Sequence, residues 1–131
     1  MAREIWVDVR VSNLSDPKRS FKVRAMIDNG STDSAMPAQL LKGIGVRPKG
    51  TDRYKGWAGQ ILRRAWAHAG FRIKSREGVG KVTFESRTEI PTIGATTLED
   101  LGYDIDLGNG GLRAFQRRGP TIRRRPHRRL A

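Results

Sequence analysis

Asp28 ends an apolar run, Ala25-Met26-Ile27, and is followed by Asn29, Gly30, Ser31 and Thr32, whose amides and hydroxyls can hold a carboxylate. A carboxylate sheltered by an apolar strand and steadied by hydrogen bonds suits general acid and base work on water or a carbonyl oxygen. The tripeptide Asp28-Asn29-Gly30 taken alone also reads as an ordinary turn. Other chemistries have little to stand on. The chain has no cysteine, which excludes disulfides and thiolate metal sites, and its two histidines, His68 and His127, are too few and too far apart to suggest zinc. No metal and no cofactor is indicated.

The elements that must position Asp28 are mainly strands. Ile5, Val7, Val9 and Val11 alternate with polar residues, and Phe21, Val23, Ala25 and Ile27 do the same. Period-two alternation makes each stretch a half-buried strand. Asn13 to Ser20, with Ser15-Asp16-Pro17, supplies a turn that would pair them antiparallel. Met36 to Leu41 reads as a short helix with Pro37 in its first turn, ended by Gly43 or Gly45. Lys49 to Gly59, with Gly50, Gly56 and Gly59 around Tyr54 and Trp57, reads as a mobile loop or hairpin carrying exposed aromatics.

Ile61, Ala65, Ala67, Ala69, Phe71 and Ile73 share one parity in a long strand from Gln60 to Lys74, and Glu77-Gly78-Val79-Gly80 is the expected turn into Lys81 to Glu85. Thr96-Thr97-Leu98-Glu99 matches a capping box, so Thr96 to Leu101 is expected as a helix closed by Gly102. Tyr103 to Leu107, a tight turn at Asn109-Gly110 and a return over Leu112 to Phe115 complete a mainly β chain.

Two stretches in this order, Ala25-Met26-Ile27-Asp28-Asn29-Gly30-Ser31-Thr32-Asp33-Ser34-Ala35-Met36-Pro37 and Ile90-Pro91-Thr92-Ile93-Gly94 running on to Gly102, resemble the retropepsin-like (retroviral-type) aspartic proteases. In that family an apolar strand leads into Asp-Thr/Ser-Gly, and a later apolar-apolar-Gly segment passes behind the catalytic loop before a short helix. The glycine-rich Gly56-Trp57-Ala58-Gly59 resembles the family's flap.

The resemblance covers residues 5–115. It implies a closed, barrel-like β subunit with a flap hairpin and one or two short helices, assembled as a homodimer that hydrolyses peptide bonds. Asp28 would be the catalytic residue, Ser31 would bond its outer oxygen, Ile93 and Gly94 would support the loop, and the flap residues would cover the peptide. Asp33 would hold the peptide terminus, pair with an arginine or remain a solvated loop carboxylate. Hydrolysis without a covalent intermediate needs a second acid, and so short a chain has one suitable loop, which is why a two-fold partner is required. Asn29 departs from the family, which has Thr or Ser there, so the compact hydroxyl network across the dimer axis is not given by this sequence.

The charge is uneven. Of 26 Lys+Arg, eight arginines lie from Arg113 onward with no acid among them, so residues 1–112 hold 18 basic and 13 acidic residues. The chain therefore divides into a protease-like domain, residues 1–115, and an arginine-rich tail, residues 116–131, expected to be disordered. Arg117, Arg118, Arg123, Arg124 and Arg125 suit polyanions, which keeps open a rival reading: a catalytically silent β domain that binds nucleic acid through its tail. No apolar run approaches the length that spans a bilayer, and the chain reads as a soluble, cytoplasmic protein.

Overall fold

The computed structural model of the chain describes residues 4–56, 58–109 and 111–115. The first two alternating stretches form β1 (Trp6–Ser12) and β2 (Ser20–Asp28), antiparallel from Trp6 opposite Met26 to Ser12 opposite Ser20. Val7, Val9, Val11 and Ala25 turn inward and are buried, and Phe21, Val23 and Ile27 pack against them partly exposed.

After the Asp28 loop comes β3 (Ser34–Pro37), which the sequence did not announce because four residues are too few to show alternation. It delays the helix expected at Met36: α1 (Ala38–Gly43) takes Pro37 as its N-cap, and Gly45 leaves it with φ +80°. The segment from Lys49 is a regular hairpin. β4 (Gly50–Lys55) pairs with β5 (Ile61–Ile73), from Gly50 opposite Trp66 to Lys55 opposite Ile61. Tyr54, read from the sequence as an exposed aromatic, is half-buried.

The next turn also lies elsewhere than expected. Chain reversal occurs at Lys74-Ser75, and β6 (Arg76–Glu85) runs straight through Gly78 and Gly80. Gly80 makes room for packing instead of turning the chain, since a Cβ there would stand 3.0 Å from the ring of the buried Phe71 and 2.7 Å from the Thr97 hydroxyl.

β7 (Thr92–Gly94) leads into α2 (Ala95–Leu101), which Gly102 closes in the left-handed region at φ 80°. The capping box is not formed: Gly94 is the N-cap and Thr96 sits inside the helix. The amides of Ala95 and Thr96 donate instead to the carbonyls of Ser31 and Thr32, at 2.8 and 3.2 Å. The Asp28 loop thus caps α2 in place of a side chain. β8 (Tyr103–Asp106) and β9 (Gly111–Ala114) form a small antiparallel sheet, joined through a 3-10 turn at Leu107–Asn109 instead of a two-residue turn at Asn109-Gly110; Gly110 lies outside the described residues.

The fold is mainly β. β1 pairs with both β2 and β5, so six strands in the order β1-β2-β7-β3-β6-β5 close into a barrel, with β4 attached outside the ring on β5. Phe71, Ile73, Val9, Val11, Val82, Met36, Leu41 and Ile93 fill its interior with next to no exposure. Burial of each such side chain stabilises the fold by roughly 1.5–3 kcal/mol. The small sheet is pinned to the barrel by Tyr103, whose hydroxyl donates to the Ile73 carbonyl at 2.7 Å, and by Arg76, which donates to the carbonyls of Leu101 and Gly102 at 3.2 and 3.1 Å.

Candidate active site

Asp28 is the last residue of β2, and β2 runs parallel to β7 so that Asp28 lies opposite Gly94 and Ile27 opposite Ile93. Ile93 is fully buried. It therefore belongs to the core beneath the loop and cannot line a substrate pocket. Gly94 is where the two segments touch: a Cβ there would stand 2.7 Å from the Thr32 carbonyl oxygen and 2.6 Å from the Asp33 carbonyl carbon. Behind them the buried Ser34 hydroxyl accepts from the Gly94 amide at 3.0 Å and shares a hydrogen bond with the Thr97 hydroxyl at 2.7 Å. A buried hydroxyl pair with its partners satisfied ties β3, β7 and α2 into one support for the loop.

Within the loop, the Gly30 amide donates to Asp28 Oδ1 at 3.2 Å and the Ser31 amide to the Asp28 carbonyl at 3.1 Å. The Ser31 hydroxyl donates to the Asp33 carbonyl at 3.1 Å, and not to the Asp28 carboxylate as expected. In the single chain the local bond two residues ahead is the nearer acceptor. Asp28 and Ser31 are half-buried, while Asn29, Gly30 and Thr32 are exposed. The carboxylate is thus held by a backbone amide and still open to water.

The loop's other acid is committed. Asp33 Oδ2 accepts from the Tyr54 hydroxyl at 2.7 Å and lies 3.5 Å from Lys81 Nζ, not beside an arginine. Lys81 also binds Asp52 at 2.6 Å and stands 4.8 Å from the Trp66 ring centroid. The cluster joins the Asp28 loop to β4, β5 and β6. Sequence reasoning does not find it, because Lys49 to Gly59 reads as a loop or hairpin; the like parity of Asp52 and Tyr54 on β4 is the signal that points to it.

Burial, reinforced by the hydrogen bond to Asp33 and that carboxylate's charge, pushes the Tyr54 phenol up from 10.0 to about 12, with Lys81 opposing. The Lys81 ammonium is also held above its usual range, chiefly by its hydrogen bond to Asp52 and against the cost of burial. Since the fold raises the Tyr54 value, the stability from this bond is complete below pH 10.0 and is lost as pH climbs toward about 12. The phenolate absorbance that disappears in Tyr54→Phe is expected to titrate near 12, with the variant losing less stability than the parent across that interval. A midpoint at 10.0 would show that the bond to Asp33 does not persist in solution.

At the hairpin tip the Gly56 amide donates to the Gln60 carbonyl at 2.8 Å, the Gly59 amide to the Gly56 carbonyl at 3.0 Å, and the Ala58 amide to Gln60 Oε1 at 2.8 Å. Gly59 takes φ +79°, a conformation that a side chain would strain. Trp57 lies outside the described residues. Beside the tip, Ile61 is 68% exposed although its parity partners further along β5 are buried, because the hairpin extends past the barrel.

Tyr54, two residues before the tip glycine Gly56, anchors the hairpin at Asp33, five residues after Asp28. The structure thereby brings the Asp28 loop, the Ile93-Gly94 segment and the hairpin base into one region. Arg117, Arg118, Arg123, Arg124 and Arg125 lie outside the described residues, as does the whole tail. Among the described residues, no three metal-binding side chains gather and no helix is long and apolar enough to cross a membrane. Comparison of the chain with protein-family models finds no match, and comparison with curated proteins finds none either.

Proposed function

We propose that the chain is an aspartic endopeptidase of the retropepsin type, active as a homodimer whose two Asp28 carboxylates form the catalytic pair. The observation that carries this reading is the parallel pairing of Asp28 with Gly94, which seats an amide-held, water-accessible carboxylate on a rigid strand end. Asp33 is engaged by Tyr54 and Lys81, so the second acid comes from another copy. Two carboxylates brought together share one proton, because like charges at close range do not both ionise cheaply.

In this mechanism the ionised member takes a proton from the water between them, and the water oxygen bonds to the substrate carbonyl carbon. The protonated member gives its proton to the carbonyl oxygen. Collapse of the tetrahedral adduct breaks the C–N bond: the amine leaves with a proton from the member now protonated, while a hydroxyl of the adduct gives its proton to the ionised member. The products are a carboxylic acid and an amine, and the pair again holds one proton. The hairpin tips, with Gly56, Trp57, Ala58 and Gly59, close over the peptide and exclude solvent.

Asn29 is exposed, and in the proposed dimer its longer, planar amide would stand in place of the compact hydroxyl of the resembled family. Asn29→Thr is expected to raise peptidase rate or tighten dimerisation; an unchanged rate with an unchanged dimer constant would dispose of that role. The test of the function is cleavage of a mixed peptide library at acidic and neutral pH, with oligomeric state followed by sedimentation. Cleavage that appears with the dimer and stops with pepstatin-type inhibitors is the expected result. A verified dimer that cleaves nothing would overturn it.

A further inference from the structure

Where β2, β1 and β5 run side by side, the outer face of the barrel carries cations in direct opposition. Register sets Lys22 opposite Arg10 across one ladder and Arg72 opposite Arg10 across the next. Paired strands lie roughly 4.8 Å apart, and like charges placed directly across a ladder weaken it. Arg24 on β2 and Lys74, in the turn just after β5, extend the row, and all five side chains are exposed. Three acids stand near the row and its neighbour Trp6: Asp8, 3.2 Å from Arg24, Glu77, opposite Arg72, and Glu4, which accepts from the Trp6 indole at 3.2 Å.

The groove between these residues has a volume of about 650 Å³. Arg10 Nε is steadied by the Ser20 hydroxyl at 3.0 Å and Arg72 Nε by the Lys74 carbonyl at 3.2 Å, which orients both guanidinium groups without neutralising them. Lys74 is the one non-glycine residue with positive φ, 55°, among the described residues. Glycine or asparagine would sit there with less strain, yet the position holds a cation. A second groove of about 330 Å³ shares Asp8, Arg24 and Lys74 with the first and is edged by Trp6, which is half-buried.

We propose that these joined grooves bind single-stranded nucleic acid, with phosphates on the five cations and a base against Trp6. Guanidinium groups match phosphate oxygens two at a time, and an aromatic beside a basic groove supplies stacking that any base satisfies. No exposed large aliphatic residue lines either groove, and a single half-buried tryptophan, Trp6, offers little apolar surface to a lipid layer. The grooves include none of the Asp28 loop residues in their lining, and the proposal does not depend on the proposed peptidase activity.

The test uses the full chain and a labelled oligothymidine, with anisotropy read over a series of salt concentrations. Arg10→Gln/Lys22→Gln/Arg72→Gln is expected to bind about tenfold or more weakly and to lower the salt slope by about 2, since each phosphate left without its cation removes about 0.7 from the slope on a single strand. Trp6→Leu is expected to weaken binding with the slope unchanged. Lys42→Gln/Arg47→Gln/Lys49→Gln, which removes as many exposed cations elsewhere, is expected to bind like the parent. Relief of the cross-strand repulsion should leave the first variant's melting temperature equal or higher, which separates weaker binding from a failure to fold. Equal weakening by the two triple variants would assign binding to diffuse charge and overturn the site. Parental binding by the first variant would also overturn it, as would loss of phosphatidylserine-vesicle binding with oligothymidine binding intact.

Discussion

Asp28→Asn is expected to abolish peptide cleavage while leaving the fold and the dimer in place. The substitution keeps the shape of the side chain and an oxygen that can still accept from the Gly30 amide, so the loop loses no bond. What it removes is the proton acceptor. Loss of a positioned general base costs about a thousandfold or more in rate. Asparagine also removes any repulsion between two facing carboxylates, so dimer affinity at neutral pH should hold or rise. The decisive measurement pairs library cleavage with sedimentation on the same sample. Cleavage that survives in the variant would show that Asp28 is not the catalytic group, whatever the oligomeric state.

Gly94→Ala should be among the most damaging single-methyl changes in the chain. Its backbone angles, φ −84° and ψ 170°, are open to any residue, so the obstacle is space and not strain. The added Cβ would meet the carbonyls of Thr32 and Asp33, which are backbone and cannot rotate away. The same carbonyl segment caps α2 through the amides of Ala95 and Thr96, and the Gly94 amide is bonded to Ser34. Forcing these apart is expected to cost about 3 kcal/mol. That corresponds to a fall of about 10 °C in melting temperature for a domain of this size. Activity should fall further than stability alone explains, since the displaced carbonyls belong to the Asp28 loop. A melting temperature within a degree or two of the parent's would show that the loop does not press on residue 94 in solution.

Much of the β framework was legible in the sequence because burial on a strand is a local, alternating property. Val7, Val9 and Val11, and Ala67, Ala69, Phe71 and Ile73, declared their inward face by spacing alone, and the structure buries all seven. The place of Asp28 at a strand end and the helix stop at Gly102 were equally local and were read correctly. Local reasoning failed where a residue answers to a distant neighbour. Gly78 and Gly80 looked like a turn and are strand residues beside Leu101, Phe71 and Thr97, and Thr96 looked like a cap while the Asp28 loop does the capping.

The sequence by itself determined a mainly β chain, its principal inward faces and a carboxylate poised at the end of an apolar strand. Tertiary structure alone decided the closing of the barrel through β1 and β5, the seating of Gly94 against the loop, the joining of Asp33 to Tyr54, Lys81 and Asp52, and the row of Lys22, Arg10 and Arg72. Each of these depends on register between strands far apart in the chain. A one-residue slip would reverse every facing side chain, and no spacing within a single strand encodes that choice.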